Sequence, residues 1–205
     1  MVFKDELDYR RFLLGLFLFN DKWPVLNTGF YSNYGSPTSI VTSRDRKLLV
    51  DILCFCLMPN HFHLILKQRI NGGISKFLQK LGTGFTNYFN QKYKRNGVLF
   101  QGKFKAIHIK DDDYFKHLAR YIHLNPVELI EPDWKEIGIP SWSKTKFFLR
   151  SYRWSSYNDY LLKDNFAYLL NGNLLKEFFG SSLGEKHEDF LGGWTQKTLG
   201  EIIQL

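Results

Sequence analysis

Apolar residues recur near helical spacing in "DELDYRRFLLGLFLFN": Leu7, Phe12, Leu16 and Phe19 fall close to one face, and Asp5 is placed to cap the first turn. The following "TGFYSNYGSPTSIVTSRDR" has no such period and is rich in Gly, Ser, Thr and Asn, which predicts an exposed loop. "LLVDILCFCLM" and "HFHLILKQ" are β-rich runs separated by Pro59 and Asn60, so a hairpin is the simplest reading and a continuous bent strand the alternative. After the turn signal "NGG", Phe77, Leu81, Phe85, Tyr88 and Phe89 return to helical spacing, in a helix that Gly82 and Gly84 weaken. "GVLFQGKFKAIHI" alternates toward a strand. The run "DDD" then offers a cap and first-turn acids to a helix, "YFKHLARYIHLN", that Pro126 ends. Pro132, Pro140 and scattered Trp and Ser predict an irregular linker, followed from about Phe147 by a short aromatic C-terminal segment.

Composition narrows the class. Hydrophobic residues make up 44% and aromatics 17%, which excludes a disordered chain, and 205 residues suffice for a core without disulfide or metal staples. The formal charge of +8 favours an anionic partner such as nucleic acid. Cys54 and Cys56 alternate along one predicted strand face, a poor geometry for a disulfide between them, and read as reduced, buried thiols of a cytoplasmic protein. "FLLGLFLF" falls well short of the roughly 20 apolar residues of a membrane helix, and the acidic "KDELDYR" argues against a signal peptide.

Three constellations carry candidate chemistry. In a strand, His61 and His63 share a face while Phe62, Leu64 and Leu66 point the other way, which makes a two-imidazole metal platform with Phe62 anchored in the core. The same spacing serves a pair of hydrogen-bonded histidines, and a further reading joins Cys54 and Cys56 to them as a zinc site. On the later helix His117, Tyr121 and Asn125 recur at i, i+4 and i+8 along a polar face, where Tyr121 is either a phosphoryl-transfer nucleophile or a hydrogen-bonded interfacial tyrosine. Lys92, Lys94, Arg95, Lys103, Lys105 and Lys110 lie within residues 90–110 with no acid among them, interleaved with Tyr93, Phe100 and Phe104, as suits a surface that grips phosphates and stacks bases.

The blocks "CLMPNHFHLIL", "GVLFQGKFKAI", "RYIHLNPVELI" and "YRWSSYNDY" stand in that order, and with them the chain resembles the single-tyrosine HUH transposases, the insertion-sequence-200-like group that includes the REP-associated tyrosine transposases. The resemblance implies an α+β, ferredoxin-like fold, an antiparallel sheet with helices on one face. Residues 1–130 would form the catalytic domain and 131–205 a linker and C-terminal extension. It implies His61 and His63 as metal ligands, Tyr121 as nucleophile and Asn125 as a third polar ligand, with Mg²⁺ or Mn²⁺ as the ion. The reaction would nick and rejoin single-stranded or hairpin DNA through a 5′-phosphotyrosine. The protein would be nucleoid-associated, and the family includes both monomers and homodimers. The family's opening strand, with its "YHI" and "NRG"-like runs, has no match here, since the chain starts almost directly on a helix. Without that strand the His-bearing strand is expected to keep an unpaired edge, and a non-catalytic nucleic-acid-binding remnant is the alternative function.

Overall fold

The computed structural model describes residues 1–25 and 45–193. The loop expected over residues 28–46 falls outside them except for its last two positions. The fold is α+β. Its strands are β1 (Val50–Leu57) and β2 (Phe62–Gln68). Its helices are α1 (Glu6–Leu18), α2 (Gly73–Lys92), α3 (Asp112–Leu124), α4 (Trp134–Ile137), α5 (Trp142–Ser151), α6 (Tyr157–Tyr160), α7 (Gly172–Phe179) and α8 (Glu185–Gly192). Among the described residues the antiparallel sheet is the single pair β1–β2, turned at Pro59 and Asn60 where the Met58 amide donates to the His61 carbonyl at 2.8 Å. No described helix is long and apolar enough to cross a membrane.

The chain forms two compact units, Met1–Ile52 with Leu66–Ala106, and Leu53–Ile65 with Ile107–Leu205. In the first, α1 packs on α2. Asp5 caps α1 by accepting from the Asp8 amide at 3.1 Å, as its sequence predicts, and Phe12 and Leu16 are buried, although Leu7 is exposed. Helix α2 runs unbroken through Gly82 and Gly84. A Cβ at Gly84 would lie 2.1 Å from the Phe19 ring, so this glycine admits the ring where any side chain would collide. The strand expected over residues 97–109 does not form. Gly97 and Gly102 adopt positive φ of 85° and 77°, which turns the chain, and Val98 and Phe104 are exposed, so the alternation has no sheet face to bury.

The second unit holds the hairpin's turn region together with α3 to α8. The expected irregular linker is helical instead. Pro132 and Pro140 each stand one residue before a helix cap, Asp133 of α4 and Ser141 of α5. They mark helix starts, and buried Trp134 and Leu149 anchor the two turns in a cluster with Leu124, Val127, Tyr157 and Leu191. The "YRWSSY" block runs beside β1 on the side away from β2. Leu57 donates its amide to the Trp154 carbonyl (2.9 Å), Ser156 donates to the Phe55 carbonyl (3.0 Å), and Cys56 and Ser155 form an antiparallel bridge. Tyr160 and Tyr152 donate their hydroxyls to the Leu53 and Leu57 carbonyls at 2.8 and 2.6 Å. The C-terminal aromatics thus satisfy backbone acceptors along β1 that would otherwise be buried and unpaired.

Beneath this seam lies a polar chain that no water reaches. His123 meets His187 through Nδ1 (3.1 Å) and Ser156 Oγ through Nε2 (2.8 Å), with Cys54 Sγ 3.4 Å from the same Nε2. Burial holds His123 well below its ordinary pKa. It also lowers His187 to about 3, with Arg120 adding to the effect and Glu188 opposing it. Both imidazoles are neutral in the fold but take up protons on unfolding below about pH 6.5. Their contribution is complete above that pH and is lost as pH falls toward 3, by up to ~1.4 kcal/mol per pH unit for each ring. Urea midpoints measured from pH 7 to 4 should fall steeply, and His187→Gln should flatten the slope. A pH-independent midpoint over that range would contradict the buried neutral pair.

Candidate active site

The hairpin turn delivers His61 and His63 to one side of β2, their ring centroids 4.9 Å apart and their planes at 90°. Ile65, two residues on, is buried against Phe115, Ala119 and Ile122 of α3, so this is the face the helix covers. Phe62, expected as the core anchor, is only half-buried on the opposite face. The helix packs on the histidine side, and Ile65 rather than Phe62 anchors the strand.

Both imidazoles are poised as neutral ligands. Burial lowers the pKa of His61, with Lys135 reinforcing and Glu128 opposing. It lowers His63 further, to about 4, with His61 and Lys135 adding to the effect. His61 Nδ1 lies 2.6 Å from Asn60 Oδ1, an arrangement in which the ring donates to the amide and keeps the Nε2 lone pair outward. His63 Nε2 is buried without a hydrogen-bond partner. Such an orphaned nitrogen beside a second imidazole fits a divalent cation. Among the described residues no three His, Cys, Asp or Glu side chains converge on one point, so further ligands would be amide, water or phosphate oxygens. The zinc reading with Cys54 and Cys56 fails on this ground. Both cysteines are free and fully buried, and burial raises Cys54 to about 12 and Cys56 well above its ordinary value, which keeps both as protonated thiols, Cys54 beside His123.

Helix α3 supplies the third group. Asp111 caps it by accepting from the Tyr114 amide at 2.7 Å, and buried Phe115, Ala119 and Ile122 fix its rotation. Tyr121 then presents its ring at 6.3 Å and 78° to the His63 ring. Asn125 is buried, and its amide nitrogen donates to the Tyr121 carbonyl at 2.9 Å, tying the helix end to the turn that carries the tyrosine. His117 faces elsewhere, with its ring 5.7 Å from that of Phe190. Two residues absent from the sequence reading join the group. Glu128, in the 3-10 turn Asn125–Leu129, pairs with Lys135 at 2.9 Å, and the Lys135 ammonium lies 5.6 Å from the Tyr121 ring centroid. Glu128 stands seven residues after Tyr121, a helical spacing that signals a shared face. Lys135 carried no signal while its segment read as linker.

The basic residues separate. Lys92 is held by Asp5 and Asp8, each at 2.7 Å. Arg95 donates to the Val98 carbonyl at 2.9 Å. Lys94, Lys103, Lys105 and Lys110 are exposed, with exposed Phe104 between two of them.

No curated protein and no solved structure matches the chain significantly. A protein-family model described as "Transposase IS200 like" matches residues 31–125. That stretch holds His61, His63, Tyr121 and Asn125, and over it the chain is similar to the IS200-like transposases.

Proposed function

We propose that this protein is a transposase of the IS200-like kind that nicks and rejoins single-stranded DNA with Tyr121 as the nucleophile and a divalent ion, Mg²⁺ or Mn²⁺, at His61 and His63. The observation that carries the reading is the unpartnered, buried Nε2 of His63 beside His61, with the Tyr121 ring presented edge to face at 6.3 Å. When bound, the ion would polarise a non-bridging phosphate oxygen and lower the barrier to attack. Imidazole ligands favour Mn²⁺ of the two ions. Asn125, whose amide braces the Tyr121 turn, would offer its oxygen as a further ligand.

Tyr121 Oη forms a bond to phosphorus, the bond from phosphorus to the 3′ oxygen breaks, and that oxygen takes a proton from water while the phenol proton is released to solvent. The product is a 5′-phosphotyrosine that conserves the ester bond. A 3′-hydroxyl can therefore reverse the step and rejoin DNA without an added energy source. Lys94, Lys103 and Lys105, with Phe104 able to stack on a base, suit an unpaired strand whose backbone they neutralise. Residues 1–130 would act as the catalytic region, supported by the helices beyond it, in a monomer or homodimer.

The test is incubation of the protein with Mn²⁺ and hairpin-bearing single-stranded DNA labelled in turn on either side of the nick. A denaturant-resistant adduct carrying the label 3′ to the nick is expected, and EDTA should remove it. Folded protein that forms no adduct at any divalent ion would overturn the reading.

A further inference from the structure

The Lys135 ammonium stands between two groups of opposite use. On one side it pairs with Glu128 Oε2 at 2.9 Å, and on the other it lies 5.6 Å from the centre of the Tyr121 ring. Its backbone is fixed, because α4 is pinned by the fully buried Trp134 next to it. An ammonium has three donors and the carboxylate occupies one of them, so donors remain on the side of the phenol. Burial alone would lower the Lys135 pKa. The hydrogen bond to Glu128 and the interaction with the Tyr121 hydroxyl outweigh it, so the side chain is held as a cation. The pair itself is partly exposed and contributes little to folding. Its position next to Tyr121 therefore calls for another reason.

We propose that Lys135 is a catalytic residue of strand transfer, its ammonium balancing the negative charge on the Tyr121 phenol oxygen as the bond between that oxygen and phosphorus forms or breaks. The inference rests on Tyr121 being the nucleophile. In rejoining, the incoming 3′ oxygen bonds to phosphorus and loses its proton to solvent. The phenol oxygen leaves with the bonding pair, and Lys135 stays protonated throughout and donates a hydrogen bond to the phenolate until solvent returns a proton to it. Nicking passes through the same transition state in the other direction, so the cation serves both steps. Glu128 is the positioning residue that keeps the ammonium from turning to solvent.

The experiment compares wild type, Lys135→Met and Lys135→Arg in adduct formation and in release of isolated adduct by DNA bearing a 3′-hydroxyl. Each is made with tyrosine and with 3-fluorotyrosine at position 121. The Met variant should unfold at the wild-type temperature yet nick and rejoin ~10²-fold more slowly, as for loss of one donor to a developing oxyanion. The Arg variant should keep most of the rate. Fluorotyrosine, whose phenolate needs less help, should restore part of the rate of the Met variant and change wild type little. Rates for Lys135→Met within about two-fold of wild type, or a loss that fluorotyrosine leaves untouched, would overturn the proposal while the nucleophile stands. No adduct from wild type would take both down together.

Discussion

Tyr121→Phe should form no covalent DNA adduct, with nicking reduced by at least ~10³-fold, because no neighbouring group can replace a nucleophile whose oxygen becomes part of the intermediate. Folding should be nearly unaffected. The phenylalanine keeps the ring that faces His63 and packs against both apolar clusters of its unit, so the change costs on the order of one hydrogen bond, ~1 kcal/mol. Adduct formation on denaturing gels and a thermal melt of the same preparation check the two halves together. Adduct persisting on the Phe variant would place the nucleophile elsewhere and leave the His61 and His63 pair to some other phosphoryl chemistry.

What could be read before the fold was known followed from local rules that tertiary packing did not override. The alternation that aims His61 and His63 to one side is a property of any strand, and the Asp5 and Asp111 caps act within their own helices. Readings that depended on what lay opposite were less secure. The face of β2 that is buried is set by α3, which is far away in sequence, so Phe62 could not be told from Ile65 as the anchor. The 97–109 segment alternates like a strand, but alternation without a partner leaves Val98 and Phe104 in water. The residues after Pro126 offered short helical turns whose stabilisation comes from Trp134, Tyr157 and Tyr160 meeting distant partners, and that hid Lys135. Charge alone likewise could not separate Lys92 from Lys103, since only the fold brings Asp5 and Asp8 to one of them.

That last distinction sets the second large effect. Asp8 is fully buried and accepts from four donors: the Lys4 amide (2.8 Å), Lys92 Nζ (2.7 Å), Tyr88 (2.9 Å) and Tyr93 (2.8 Å). Burial pushes its pKa up, but Lys92 and the other donors outweigh it and hold the carboxyl below its ordinary value. Its stabilisation is therefore present above about pH 3.9 and is lost as pH falls below that toward the folded-state value. Asp8→Ala leaves the Lys4 amide and the Tyr88 phenol without their acceptor where α1 meets α2, and leaves Lys92 and Tyr93 with Asp5 alone, and should cost ~3–5 kcal/mol. Lys92→Met strands the carboxylate instead, with both phenols still donating, and should cost less, ~2–3 kcal/mol. Lys103→Ala and Lys105→Ala, in exposed chain, should stay within ~0.5 kcal/mol of wild type. On the proposed function these two should weaken single-stranded DNA binding and lower its salt dependence by close to one released counterion each. Urea denaturation and salt-dependent binding titrations on the four variants separate the two roles. Lys92→Met with wild-type stability and weakened DNA binding would return that lysine to the nucleic-acid surface.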